Sequence, residues 1–423
     1  MTRLINRQFR LLFAGQVLSG CGDWIDYVAL ISLVAYEWKA GAGGLAAVAV
    51  AAALPWLLLA PFAGVWADRL PQKRVMIACD LARAVLVLAY LAAPNLAVLL
   101  ALLVGKTAFG TLFLPAQQSL VKRVVPAGSL LAANALNALG GQLTKIAGPA
   151  AGGLLLVLAG GPRGAFLVDA GTFAASALIL LPLRLPPVGS PAGAPGAPRR
   201  QRFRSELAEG VRFVLGSRTL PLAIGSLAAT LFLVLSFDTL SPLILPGLGV
   251  PPSFFGPVVA SVAAGAAIGI GLVGRLGRSR NPVAVLGGSQ AATGVLIALT
   301  GAAAVAGFRA PALAWLPLVA GIGLCSAGIL VLSSYLIQRD TPPALMGRVG
   351  SVAAVVPAVL QIAAPVAGAS AAAHLGVGVV LAGAGLGLTL LGAACLLRSR
   401  VAAEPEHRSG PFPVPRPGHP ARP

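Results

Sequence analysis

Apolar runs long enough to cross a lipid bilayer recur from one end of this chain to the other. A helix needs about 20 apolar residues to span a hydrocarbon core of about 30 Å. Twelve such runs can be marked, at approximately 10–36, 44–68, 74–93, 96–118, 134–159, 164–184, 219–246, 254–275, 282–307, 311–337, 348–374 and 377–397. Within a bilayer each backbone polar group has to be paired inside its own segment, so runs of this kind fold as helices. Hydrophobic residues fill 57% of the 423 positions and charged residues 10%, a balance that no soluble domain of this size requires. Gly/Ala-rich stretches near 41–60, 260–274 and 365–395 blur some boundaries, so a count of eleven also fits. The expected fold class is an all-α integral membrane protein with about 12 transmembrane helices.

Charge sets the expected orientation. Arg3, Arg7 and Arg10 precede the first run, which is long, carries Asp23 and Asp26 and lacks a small-residue cleavage site, so it reads as an uncleaved span. With the N-terminus cytoplasmic, the inner segments collect Arg69, Lys73, Arg74, Lys122, Arg123, the Arg199–Arg204 cluster, Arg275, Arg278, Arg280, Arg339 and Arg348. The outer loops keep only Lys39, Arg163 and Arg309. This positive-inside pattern holds for an even number of spans, with both termini cytoplasmic in a bacterial-type plasma (inner) membrane. It also accounts for the net charge of +19 through topology and contact with anionic membrane lipid, with no nucleic acid involved.

The chain has one clear interruption. Residues 186–198 are too rich in Pro, Gly and Ala to pack, and a basic run and a short amphipathic stretch, Ser205 to Leu215, follow them. The expected organisation is a six-helix half over 1–185, a cytoplasmic linker with an amphipathic helix over 186–218, a second six-helix half over 219–398, and a disordered basic, Pro-rich tail over 399–423. The halves echo one another. Arg123-Val-Val-Pro126 matches Arg339-Asp-Thr-Pro342 in position, and the loop Gly64–Arg74 has a degenerate counterpart around Gly271, Arg275, Arg278 and Arg280. Two echoes at corresponding loops point to a parallel duplication, a standard transporter design with the substrate site between the halves.

Charged residues inside spans mark candidate chemistry. Gln16, Ser19, Asp23 and Asp26 are spaced to share one helix face, a polar stripe turned to an interior cavity. Asp23 lies 13 residues beyond Arg10, or about 20 Å along a helix, near the middle of the bilayer. Lys106 and Lys145 should sit at comparable depth. Burial and a nearby lysine act in opposite directions on a carboxyl's proton affinity, so such a group can be tuned to load and release protons. Asp23 with Asp26 and Lys106 or Lys145 is either a proton-coupling group or a permanent structural ion pair. Asp238 and Asp169 are weaker candidates. Gly141, Gly148 and Gly152 share a face of span five, and Pro149 removes a backbone donor, which gives a closely packed, bendable helix.

These residues together resemble the major facilitator superfamily over nearly the whole chain. The sharpest match is the loop motif between spans two and three, carried by Gly64, Asp68, Arg69 and Arg74, although Pro71 and Gln72 depart from the usual pattern. Gly22-Asp23, Asp80-Leu-Ala-Arg83, Asn134-Ala-Leu, Gly148-Pro149-Ala-Ala-Gly152-Gly153 and Ser205-Glu-Leu-Ala-Glu-Gly210 are similar to the proton-coupled exporters that include macrolide efflux pumps and the enterobactin exporter. The resemblance implies that the loop network, extended by Asp80 and Arg83, holds the outward-facing state. It also implies that Gly148, Pro149, Gly152 and Gly153 form an antiporter-type helix motif favouring export.

Trp24, Tyr27, Phe109, Phe113, Phe232, Phe237 and Tyr335 would line a cavity suited to an amphipathic or lipophilic small molecule. The expected protein is thus a monomeric secondary transporter exporting drug- or siderophore-class compounds by proton antiport with rocker-switch alternating access. An importer or a lysophospholipid flippase on the same fold is the alternative, and sodium could replace the proton. No enzymatic machinery is legible: Cys21, Cys79, Cys325 and Cys395 lack paired spacing, the three histidines form no triad, and Gly383-Ala-Gly385-Leu-Gly387 lies inside an apolar span with no strand before it. No cofactor or metal is expected.

Overall fold

The computed structural model describes residues 6–126, 129–184, 212–214, 216–217, 220–276, 281–341 and 345–403. Most of the expected linker and its amphipathic stretch, and the tail beyond 403, lie outside the described residues. Within the described residues there are twelve long α-helices, and eleven of them are long and apolar enough to cross a membrane. They are α1 (Arg7–Ser32), α2 (Gly41–Arg69), α3 (Gln72–Tyr90), α4 (Leu96–Val124), α5 (Leu130–Leu158), α6 (Pro162–Leu180), α7 (Leu220–Asp238), α8 (Phe255–Leu276), α9 (Pro282–Val305), α10 (Ala312–Arg339), α11 (Met346–Leu375) and α12 (Val377–Ala403). The helix left out of the eleven is α3, because Lys73, Arg74, Asp80 and Arg83 dilute its apolar character. Residues such as Leu158 (74% exposed) and Leu390 (61% exposed) turn outward, as a lipid-facing surface requires.

Local chemistry explains the boundaries. Asn6 caps α1 by accepting from the Phe9 amide, Asn95 caps α4 through Val98, and Asn281 caps α9 through Val283. The first span is extended by a π-turn, Leu33–Glu37. Several ends differ from expectation, α4 for one running to Val124 rather than to 118. Span seven, expected to reach 246, stops at Asp238 and gives way to short 3₁₀ turns at Ser241–Leu243, Leu245–Leu248 and Pro252–Phe254. Pro242 and Pro246 lack the amide donors that would continue the helix. At the other extreme α12 runs on to Ala403, since nothing in Arg398-Ser-Arg400-Val-Ala breaks a helix and basic residues suit its C-terminal end.

The packing is asymmetric along the helix axes. Among α1–α6, α1 lies against α5 and α6, and α4 against α2 and α3. Among α7–α12, α9 lies against α12 and α10, and α8 against α10. The two sets meet where α2 crosses α11 and where α5 crosses α8. At the end of the bundle remote from the chain termini, one continuous apolar core joins both sets, running from Val28, Val34 and Phe166 to Leu240, Leu248, Phe255 and Trp315. The Tyr36 hydroxyl also donates to the Pro242 carbonyl there, at 2.8 Å. At the terminal end, among the described residues, the sets keep separate cores, one around Phe9, Met76 and Leu120 and the other around Leu220, Leu286 and Leu336.

Candidate functional site

The first four expected stripe residues do share one side of α1, and the helix turns that side toward α3, α4 and α6. Ser19 is buried with its hydroxyl on the Gln16 carbonyl at 3.4 Å, and the Gln16 side chain is hydrogen-bonded to Gln117 of α4. One turn further on, Asp23 and Asp26 meet a lysine. Lys106 Nζ donates to Asp26 Oδ2 at 2.5 Å and lies 3.0 Å from Asp23 Oδ1 and 3.7 Å from Asp169 Oδ2 of α6. Arg83 joins from α3, reaching Asp23 Oδ2 at 3.4 Å and pairing closely with Asp80. Asp80 accepts a further hydrogen bond from the Ser176 hydroxyl at 2.7 Å. The Arg83 guanidinium is held between aromatic faces, 4.6 Å from the Phe113 ring centre and 4.3 Å from that of Phe173.

Four helices therefore deliver four carboxyls and two cations to one place. The side chains of Asp26, Asp80, Arg83, Lys106 and Asp169 are at most 6% exposed, whereas Asp23 is 40% exposed. Asp23 is thus the partly exposed member of the network. Asp80 and Arg83, expected beside the α2–α3 loop, belong to this intramembrane network instead, because eight and eleven residues into α3 they have left the helix end behind. Lys145 is exposed on α5, with no ion pair to the network among the described residues. Asp238 ends α7 and is also exposed. Asp169, a weaker candidate by sequence, also joins the network. An acid in the otherwise apolar α6, with Thr172 and Ser176 one and two turns on, was the available signal.

The second half carries an uncharged counterpart. Gln290 and Thr293 are the ninth and twelfth residues of α9, as Asp80 and Arg83 are of α3. Gln290 is fully buried and its amide donates to Ser226 at 2.7 Å and Thr230 at 2.9 Å on α7. The duplicated layer is polar in both halves and ionised in one.

The glycines of α5 set the helix contacts. A methyl group on Gly148 would lie 2.4 Å from Trp24 Cβ and 2.9 Å from the Cys21 carbonyl oxygen, and one on Gly152 would crowd Ile25 and Val28, so both let α1 lie close. Gly153 faces α8, where it and Gly256 bring backbone against backbone beside Pro149 and Pro257. Of the aromatic residues, Trp24 packs edge-on against Tyr27 at 5.6 Å and Tyr27 against Phe255 at 6.1 Å, across the two helix sets. Phe109 packs beside the terminal-end core of the first set, and Phe232 and Tyr335 are exposed on α7 and α10. Near the remote end an apolar cavity of about 920 Å³ lies between α2, α4 and α11, lined by residues such as Ala46, Val50, Val104, Val366 and Ala369.

In the α2–α3 loop, the backbone turns within Leu70-Pro71, where Pro71 caps α3. Lys73 donates to the Leu181 and Leu183 carbonyls at 2.6 and 2.9 Å, and Arg123 to Gln72 at 2.8 Å, tying the terminal ends of α3, α4 and α6. Apart from the α2 backbone, Gly64, Asp68 and Arg69 lie outside the described residues, and Arg74 is exposed at the start of α3.

A duplicated bundle of membrane-spanning helices, with a charge network in one half and small-residue seams between the halves, defines a polytopic transporter. The sequence matches the Major Facilitator Superfamily over residues 12–365, and the chain belongs to that family. It is 31% identical over 360 residues to the multidrug efflux pump Tap of Mycobacterium tuberculosis, covering 81% of each chain. It is 29% identical over 296 residues to the enterobactin exporter EntS of Escherichia coli, covering 68% of this chain and 66% of that protein. With the uncharacterized MFS-type transporter YfiS of Bacillus subtilis it shares 28% identity over 265 residues, and it spans 63% of that relative's length. Its fold is like that of a crystallised bacterial homologue of the human lysosomal transporter Spinster, with a TM-score of 0.69 at 16% identity over 96% of this chain and all of the other.

Proposed function

We propose that this transporter exports lipophilic or amphipathic small molecules in exchange for protons, with Asp23, Asp26 and Lys106 at the centre of the coupling group. The observation that carries this reading is the buried network of four carboxyls and two cations, with one partly exposed acid, Asp23. A purely structural ion pair needs one acid per base and no open member. Here an excess of acid is held where its charge state can feel which side is open. The similarity to Tap and EntS supports export of drug- or siderophore-class compounds, and the apolar cavity near the remote end, within the volume range of ligand sites, supports a lipophilic cargo.

The working cycle follows from the asymmetric packing. With both termini cytoplasmic, the state described here is closed at its outer end by the shared core and the Gly153–Gly256 approach of α5 and α8, while among the described residues the inner ends keep separate cores. Rocking of the two six-helix halves would exchange these conditions. In this state Asp23 communicates with the cytoplasm, where a proton is released and cargo is taken up. The Gly148–Gly153 stretch acts as the outer seam in this scheme, and the α2–α3 loop as the latch of the opposite state.

The test is accumulation of a panel of lipophilic fluorescent compounds in cells expressing the wild type, Asp23→Asn or neither, with and without a protonophore. Lower accumulation in wild-type cells that vanishes with protonophore and with Asp23→Asn is the expected result. Lower accumulation that ignores the protonophore overturns proton coupling, and one that ignores Asp23→Asn overturns the assignment of the acid.

A further inference from the structure

Four carboxyls around two cations leave an excess of negative charge in a setting where an uncompensated buried ion costs several kcal/mol. The groups that face one another are Asp23 and Asp26 of α1, Asp80, Arg83 and Tyr90 of α3, Lys106 of α4 and Asp169 of α6. Their surroundings are unequal. Asp80 is paired through one oxygen to Arg83 and through the other to Ser176. Asp23 lies between both cations and is partly exposed, and Asp26 holds Lys106 directly. Asp169 has neither advantage. Its side chain is fully buried, Lys106 stands 3.7 Å from its Oδ2, and that oxygen has no hydrogen-bond partner among the described residues. Its Oδ1 meets the Thr172 hydroxyl at a long 3.3 Å. The α1 backbone closes over it at Gly22, where even a methyl group would fall 2.2 Å from Asp169 Oδ1. Asp26 Oδ1 and the nearby Tyr90 hydroxyl are likewise buried and without a partner among the described residues, but Asp26 keeps Lys106 on its other oxygen.

We infer that Asp169 is a proton-binding site of this network, the carboxyl that carries a proton while Asp23, Asp26 and Asp80 share Arg83 and Lys106. Uptake of one proton at Asp169 converts the carboxylate to a carboxylic acid and gives the unpartnered oxygen a hydrogen to donate. It leaves Lys106 to the two acids of α1. The one remaining excess charge then rests on the group with access to solvent, Asp23. Loss of the proton draws Lys106 back toward α6, so protonation at Asp169 decides whether α4 is held by α1 or shared with α6. As a coupling step this rests on the antiport reading above; as a proton site it does not.

The test is infrared difference spectroscopy of the full-length transporter in lipid nanodiscs as the pH is lowered. The wild type should show the carbonyl stretch of a buried protonated carboxyl, lost in Asp169→Asn, displaced but present in Asp169→Glu, and retained in Asp23→Asn. Survival of the unshifted band in Asp169→Asn and Asp169→Glu overturns the inference, as does its absence from the wild type. Should Asp169→Asn fail to fold, the displacement in Asp169→Glu decides alone. If the band follows Asp169 while wild-type cells show no protonophore-sensitive export, the site stands and the antiport reading falls.

Discussion

Gly256→Ala should push the transporter out of the state described here. At the α5–α8 crossing the added methyl would lie 2.2 Å from the Pro149 carbonyl oxygen and 2.7 Å from both Gly153 Cα and N, all of them backbone atoms. No side chain can rotate away, so relief requires the helices to part by about 1.2 Å, the gap between 2.2 Å and the 3.4 Å at which ordinary contact begins. Overpacking of this kind costs about 1–3 kcal/mol. Only the state in which the outer ends touch bears that cost, so the outward-open population should rise by roughly 5- to 150-fold relative to the sealed one. The assay is a spin-label distance distribution between Arg163, at the start of α6, and Arg309, between α9 and α10, in a background with all four cysteines replaced by alanine. Both label sites are exposed. The long-distance component should grow in Gly256→Ala and stay unchanged in Gly171→Ala, where a methyl group meets nothing within 4 Å. Identical distributions in the two variants would refute the view that this backbone contact is the outer seal.

Further expectations concern the network. Lys106→Met strands acids that share its ammonium group and should cost about 3–5 kcal/mol, read as a lower midpoint in detergent melting followed by size-exclusion chromatography. Adding Asp26→Asn to Lys106→Met should return a large part of that loss, and strict additivity of the two changes would show that the pair is not coupled. Lys145→Ala, on the exposed face of α5, should leave protonophore-sensitive export within about twofold of wild type in the cell accumulation assay, an allowance for the small effects typical of surface sites. Phe173→Leu removes a face that packs on Arg83 and, more distantly, on Lys106; it should lower export more than protein yield, measured in the same cells by immunoblot.

The fold was legible because bilayer thickness imposes its own ruler. Twelve apolar runs correspond to twelve helices, and the ends differ where that ruler is silent, as at Pro242 and Pro246, which end α7 early, and at Lys122 and Arg123 of α4 and Arg398 and Arg400 of α12, which let those helices continue. The spacing of Gln16, Ser19, Asp23 and Asp26 was readable because helical periodicity is local. The partners of those residues were not, because nothing in a sequence says which helices stand next to one another around the bundle. Depth alone makes Lys106 and Lys145 equivalent, and only the arrangement of α1, α3, α4 and α6 separates the lysine that meets three acids from the one left exposed on α5. The places of Arg83 and Asp169 are illegible in the sequence for the same reason. Sequence places a charge beside the motif nearest to it, whereas the long Arg83 side chain of α3 reaches Asp23 of α1.

The most direct test of proton-coupled export through this network is proton movement driven by cargo in proteoliposomes. Purified transporter is reconstituted with a pH-sensitive dye inside, and a lipophilic compound that lowers in accumulation in the cell assay is applied as a gradient across the membrane. Flow of the compound down its gradient should drive protons the opposite way in the wild type, and Asp23→Asn should abolish that counterflow while leaving the protein folded. Compound flux with no proton counterflow in the wild type would contradict the account.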